Sequence, residues 1–446
     1  MNTLVRAVRN IELPEWILKT GNFLHKKLGK IMLFSLFVSL LTCLVLYKVL
    51  LISSNASISS FWTFYGIVVS LFLISRIPYA YLYSDEHTTT YAATKYPTVS
   101  VIIAAKNEEA GIFRTIETCV NSDYPSKIEC IVIDDGSTDK TLAEMERARE
   151  KYKEKINVVS FPVNQGKKEA MAAGVKLANN EIFIFVDSDS YLAPDAMKHA
   201  AEHFMENEKV GAVSGNTKVE NKNENLLTRM QSIQYAISFD IYKACESVHE
   251  SVTCCPGCFS AYRREAIKPL IEHWKDQTFF GIKSTFGDDR SLTNFVLRSK
   301  WDVVYCEKAR ATTLAPTTLG MYWKQQLRWK KSWVREGVLG GLFMWKRKSI
   351  LASLSFYIHF TFPFLGPILA INVLVYSIAT NNIQVFLLFI TGFVLMGFIF
   401  SVFVRLYRKA DNFLIMPLFS VFFVTILIWQ MPYAMLTIKK THWGTR

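Results

Sequence analysis

Five stretches of nearly unbroken apolar residues flank a central region with a different pattern. Ile31–Ile52, uncharged apart from Lys48, and Phe61–Ala80 lie on the N-terminal side. Ile350–Ala379, Ile383–Val404 and Phe413–Ile438 lie on the C-terminal side. Each has the ~20 residues that a helix needs to cross ~30 Å of hydrocarbon. Between them, from Pro97 to about Ala309, short apolar runs alternate with helical periodicity. Val99–Ala105, Ile128–Asp134, Asn157–Ser160, Ile182–Asp187, Gly211–Asn216 and Asp302–Cys306 read as strands, several apolar throughout. Strands without a polar face, separated by helices, predict an α/β domain with a mostly parallel sheet covered on both faces. The pattern divides the chain into six segments. These are an N-terminal interfacial segment (1–30), two transmembrane helices (31–80), the α/β domain (97–310), amphipathic interface helices (311–349), C-terminal transmembrane helices (350–438) and a tail (439–446).

Charge orients this arrangement. Residues 1–30 carry six Lys or Arg against two Glu, and the link Ser53–Ser60 carries no charge. By the positive-inside tendency, the N-terminus and the α/β domain face the cytoplasm of a multi-pass plasma-membrane protein. The net charge of +13 fits Lys and Arg at the lipid surface, and no basic–aromatic stripe suggests nucleic acid. The basic N-terminal region is too long for a cleavable signal, and no small-residue cleavage site follows the first apolar run. Eight cysteines without zinc-finger spacing fit a reducing compartment.

The chemistry concentrates where predicted strands end. Ile182–Tyr191, IFIFVDSDSY, ends a buried strand on Asp187 and Asp189. Two carboxylates there can share a hard cation, Mg²⁺ or Mn²⁺, with the oxygens of a substrate diphosphate. The alternative is an acidic turn in which Asp189 caps the next helix. Asp134-Asp135-Gly136-Ser137 ends another strand, where a carboxylate can accept the N–H of a uracil ring. Ser137 or Thr138 is also suited to cap the following helix. Lys167, after Asn164-Gln165-Gly166, can approach a diphosphate or lie in a solvated loop. Gly287-Asp288-Asp289-Arg290 places two carboxylates at a helix start, where the dipole favours an ionised group able to take a proton. Gln325, Gln326, Arg328 and Trp329 put planar donors and an indole on one helix, which also reads as an aromatic–basic interfacial belt.

In chain order, IIAAKNEE, IDDGS, NQGKK, DSD, GDDR and QQLRW resemble the motifs of the family 2 processive glycosyltransferases. NLLTR (225–229), DQTFFGIKSTFGDDRSLTN (276–294) and the terminal WGTR resemble, within that family, the bacterial (class I) hyaluronan synthases. The resemblance implies a cytosolic GT-A, Rossmann-like glycosyltransferase domain inserted between transmembrane helices. It implies that Asp134, Asp135 and Lys167 bind the nucleotide, and that Asp189, with Asp187, ligates Mg²⁺ or Mn²⁺. Asp289, beside Asp288, becomes the general base, and Gln325, Gln326 and Arg328 clasp the pyrophosphate. Trp329, with Cys255 and Gly257, lines the acceptor site, and Trp443 and Arg446 form a gate over bound UDP-sugar. The implied substrates are UDP-GlcNAc and UDP-GlcA, joined with inversion into a polysaccharide that leaves through the enzyme's own helices. One segment departs from the pattern: the family's Cys-Ser-Gly-Pro reads Cys255-Pro256-Gly257-Cys258 here. That departure leaves a chitin-oligosaccharide or other β-linked polymer synthase open. A non-processive lipid glycosyltransferase fits less well with QQLRW and WGTR. A transporter with a degenerate domain is at odds with four retained carboxylates, Asp135, Asp187, Asp189 and Asp289. Oligomeric state is not legible.

If the tail closes over a cytosolic site, the chain must cross the membrane an even number of times after residue 337. Three apolar stretches follow it. Phe413–Ile438 holds Pro417 and Pro432 and is too short for two full spans. It is therefore expected to be split, as a kinked or re-entrant pair.

Overall fold

The computed structural model describes residues 60–85, 96–408 and 410–440, with isolated helical positions at 35, 39, 42 and 43. The expected interfacial segment, the first membrane span and the tail with Trp443 and Arg446 lie outside the described residues.

Helix α1 (Ser60–Leu82) leads towards the α/β domain. The domain then runs β1 (Val99–Ala105), α2 (Ile112–Val120), β2 (Ile128–Asp134), α3 (Thr141–Tyr152), β3 (Ile156–Ser160), α4 (Lys167–Leu177), β4 (Ile182–Phe185), β5 (Ser190–Leu192) and α5 (Ala196–Glu206). It continues with β6 (Val210–Val219), α6 (Leu226–Ile237), β7 (Ser260–Arg263), the hairpin β8 (Thr278–Phe279) and β9 (Ile282–Lys283), α7 (Asp288–Arg298) and β10 (Asp302–Thr313). The main sheet has the order β3-β2-β1-β4-β7-β6-β10-β5. Its β3-β2-β1-β4 half is parallel, and β7 is antiparallel to both neighbours.

Alternation along these strands fills two cores. Ile102, Ile131, Ile133 and Phe183 point to one face, and Val101, Ile103, Val132 and Ile184 point to the other. Each buried aliphatic side chain contributes ~1.5–3 kcal/mol, so the sheet is fixed from both sides. The first core continues into membrane-side helices: Ile74 and Ile77 of α1 belong to it, as do Phe400 and Phe403. The main sheet is thereby seated on the helices that follow and precede it.

Helix α8 (Leu319–Gly341) starts where Thr318 accepts the N–H of Met321. Helices α9 (Ile350–Ala379) and α10 (Ile383–Arg408) match the expected apolar stretches. Pro363 and Pro367 lie inside α9 without ending it. The third stretch is broken into α11 (Met416–Thr425) and α12 (Gln430–Leu436), which the flanking short turns extend into a pair bent by 42°. The break falls at Ile426, between the two prolines. Pro417 sits at the start of α11, where the missing N–H costs little. Among the described residues, three helices are long and apolar enough to cross a membrane, besides the bent pair.

Candidate active site

Five loops converge where the parallel strands end. The β2 end is held by its own carboxylates. Asp134 accepts from the N–H of Ser137 at 3.1 Å and the hydroxyl of Ser160 at 2.9 Å. Asp135 accepts from the N–H groups of Gln165 (2.7 Å) and Gly166 (2.9 Å), tying the NQGKK turn to the strand end. Burial still raises the Asp135 carboxyl above its usual range. The two sites expected to meet the nucleotide are therefore one unit. The hydroxyl of Ser137 accepts from the N–H of Asn107 at 3.0 Å, and helix α3 begins later, at Thr141.

The turn places Lys167 at the centre. Its ammonium lies 2.5 Å from Asp187 and 3.2 Å from Asp288, so one cation joins the DSD and GDDR motifs. Burial opposes charge on Lys167, but Asp187 and Asp288 outweigh it and drive its pKa upward. Asp288 is correspondingly held below the carboxylate range: burial opposes ionisation, and Lys167 prevails. Asp289 goes the other way. Burial, and then the negative charge of Asp288, push its carboxyl up. Adjacent carboxylates with opposite shifts have separate roles available, and the raised one is suited to accept a proton.

The backbone around them is specific. Gly287 starts α7 at φ +73°, and a Cβ there would stand 1.8 Å from the hydroxyl oxygen of Ser332 on α8. At the opposite wall, the N–H of Asp187 donates to the carbonyl of Gly257 at 2.9 Å. A Cβ on Gly257 would lie 2.6 Å from the Asp187 carboxylate. The loop 254–258 thus passes directly over the DSD turn. Asp189 does not cap a helix; β5 follows it, and helix α5 starts later, behind Asp195.

The cysteines of this loop sort differently from expectation. Cys255 is fully buried, with its side chain packed into the hydrophobic core. Cys254 instead approaches Asp289, Sγ to Oδ2 3.6 Å. Gly257 does border the site, through Asp187.

Helix α8 closes the cleft. Gln326 accepts from Gln234 at 3.1 Å, and Gln234 accepts from the hydroxyl of Tyr322 at 2.8 Å. The Gln326 side-chain nitrogen and the Gln325 side-chain oxygen are buried with no partner among the described residues. Orphaned buried amides are costly, which points to a ligand that completes them. Trp329 is 39% exposed, with its ring centroid 6.2 Å from that of Tyr235. Arg328, on the same turn, is half-buried.

Several contributors had no local signal. Tyr235 packs beside Trp329, and burial raises its hydroxyl well above the usual value. Lys168, next to Lys167, turns into the core, donating to the carbonyl of Trp274 (3.3 Å) and to Gln277 (3.1 Å). Burial, followed by the positive charge of Arg335, lowers it to about 8. Glu336 accepts from Arg335 at 2.7 Å and Asn294 at 3.0 Å, locking α8 to α7. Beyond Arg290, a small pocket opens between Thr253, Asn294, Trp333, Glu336 and His359. His359 and the neighbouring Phe360 belong to α9, so this pocket lies between the carboxylates and that long apolar helix.

The family model for glycosyl transferase family 2 matches residues 100–271. The hyaluronan synthase of Streptococcus pyogenes is 30% identical over 393 residues, covering 86% of this chain and 90% of that protein. An N-acetylglucosaminyltransferase of Mesorhizobium japonicum is 34% identical over 250 residues, 55% of this chain and 58% of its own length. Among solved structures, a mannosyltransferase from Pyrobaculum calidifontis in complex with GDP-Man and Mn²⁺ superposes with a TM-score of 0.56 at 19% identity. That superposition covers 86% of this chain and 99% of the other, and it identifies the curled mixed sheet as GT-A-like. The chain belongs to glycosyltransferase family 2, within the family of the bacterial hyaluronan synthases.

Proposed function

We propose that the protein is a processive, inverting membrane glycosyltransferase that polymerises UDP-GlcNAc and UDP-GlcA into hyaluronan and passes the chain out between its own helices. The observation that carries this reading is the Lys167 bridge, which brings Asp187 and the Asp288–Asp289 pair around one cleft. An acceptor hydroxyl held beside Asp289 gives its proton to that carboxylate while its oxygen attacks the anomeric carbon. The bond from that carbon to the diphosphate breaks on the opposite face, so UDP leaves and the configuration inverts. Lys167 places positive charge next to the departing phosphates, and Gln326 offers an amide donor there.

Asp187 and Asp189 suit a hard divalent cation: both are carboxylates at one strand end, and Gly257 leaves room for the Asp187 head group. A bound Mg²⁺ or Mn²⁺ would neutralise charge on the diphosphate. Trp329 and Tyr235 offer aromatic faces to the acceptor sugar. The pocket beyond Arg290, with His359 and Phe360 in its wall, supports an exit directed towards α9. The bend in the α11–α12 pair supports a re-entrant segment that returns the tail to the cytoplasm.

The likeness to an N-acetylglucosaminyltransferase favours a second reading, a polymer of N-acetylglucosamine alone. The metal assignment has its own test. EDTA should abolish sugar transfer and Mg²⁺ or Mn²⁺ restore it, while Asp189→Ala stays inactive at any metal concentration; turnover in chelator would refute it.

A further inference from the structure

A second cluster of ligating side chains lies away from the cleft, where the chain leaves α1. Asp85, three residues beyond that helix, His203 on α5 and Cys306 on β10 meet with one ligand atom each, all within 4.8 Å of one another. The imidazole Nε2 of His203 is 2.9 Å from Asp85 Oδ1, and Cys306 Sγ is 3.4 Å from Asp85 Oδ2. In a tetrahedral zinc site, with Zn–N near 2.0 Å and Zn–S near 2.3 Å, ligand atoms stand roughly 3.3–3.7 Å apart. The cluster needs only small side-chain adjustments to reach that spacing. Cys306 is wholly buried and Asp85 is 7% exposed. The N–H of Lys308 donates to Asp85 at 2.8 Å, an outer contact of the kind that orients a metal ligand. The Tyr83 hydroxyl lies over the same junction, donating to the carbonyl of Tyr305 at 2.7 Å.

The donor set differs in kind from that of the cleft. Nitrogen, thiolate sulfur and a single carboxylate favour zinc, whereas the two carboxylates of the DSD motif favour Mg²⁺ or Mn²⁺. We infer that Asp85, His203 and Cys306 form a three-ligand zinc site that fastens the exit of membrane helix α1 to the catalytic sheet. Binding shifts the His203 proton from Nε2 to Nδ1, replaces the Cys306 S–H with an S–Zn bond and releases that thiol proton to solvent, and the fourth tetrahedral position is left to water. Three separate elements become one cross-linked unit. Arg408 pairs with Glu307 and donates to the carbonyl of Ala80, at 3.2 Å, so α10 is tied into the same junction.

Metal content of the purified full chain in detergent tests this. After growth with added Zn²⁺ and removal of loosely held metal, the expected result is one zinc ion per chain. That zinc should be lost in Cys306→Ser and His203→Ala and retained in Asp189→Ala. Protein prepared with Co²⁺ should show thiolate-to-cobalt charge-transfer absorption, which decides the matter even if the variants fail to fold. Wild-type protein without zinc and without that absorption overturns the site. Zinc retained in Cys306→Ser overturns it equally.

Discussion

The Lys167 ammonium stands 3.2 Å from the Asp288 carboxylate, although the two lie 121 positions apart in the sequence, and 2.5 Å from Asp187. This contact makes one site of motifs that the sequence shows only separately, at a strand end, a glycine turn and a helix start. Its consequences are open to mutation.

Replacing Lys167 with Met keeps the stem and removes the charge. Asp187 and Asp288 are then left facing each other without a shared cation. Sugar transfer should fall by ~10²-fold or more, the scale for losing one preorganised charge at a reacting centre. The loss should appear mainly in kcat. Wild-type turnover in that variant would remove Lys167 from the machinery.

Asp289 has to be ionised to take a proton, and its pKa is raised by burial and by Asp288. A raised base pKa means that activity is lost on acidification at higher pH than for an ordinary aspartate near ~3.9. The kcat profile should therefore show its acid limb above that value. Asp289→Asn should lower synthesis by ~10²-fold at every pH while donor binding persists. An acid limb unchanged in the residual activity of the variant would assign the titration to another group.

Gly287→Ala introduces a Cβ at positive φ and against Ser332. The strain should cost ~1–3 kcal/mol and lower Tm by several degrees. Pairing it with Ser332→Gly removes the steric half of that cost, leaving the backbone half. Equal Tm values for the single and double variants would deny the close approach of α7 and α8.

Lys330 on α8 donates to the carbonyl of Leu427 and, at 3.0 Å, to the side chain of Gln430, holding the break between α11 and α12. Lys330→Met strands both acceptors, at ~1–3 kcal/mol. Detergent-solubilised protein should lose thermal stability and polymer length together. An unchanged Tm would separate Lys330 from the bend.

Strands that end in chemistry were legible because they are buried on both faces. β1 and β2 begin and end on the residues that the apolar runs mark. β7 was not legible: four residues after a Cys-Pro-Gly-Cys loop carry no period, and its antiparallel place between β4 and β6 is set by tertiary pairing. The same holds within the site. Adjacent lysines 167 and 168 look alike, yet one faces the carboxylates and the other the core, because α4 presents them to different neighbours. Cys254 and Cys255 divide in the same way, one towards Asp289 and one into the core. Motif identity located the loops; packing chose which side chain of each pair reaches the cleft. The split of the last apolar stretch was readable from its length and prolines, but its position at Ile426 was not.

Product analysis tests the central claim most directly. Purified enzyme is supplied with UDP-GlcNAc alone, UDP-GlcA alone and both together, and the products are digested with hyaluronan-specific and chitin-specific hydrolases. The account predicts long polymer only with both donors, degraded by the hyaluronan-specific hydrolase. Polymer formed from UDP-GlcNAc alone and degraded only by the chitin-specific hydrolase would contradict it.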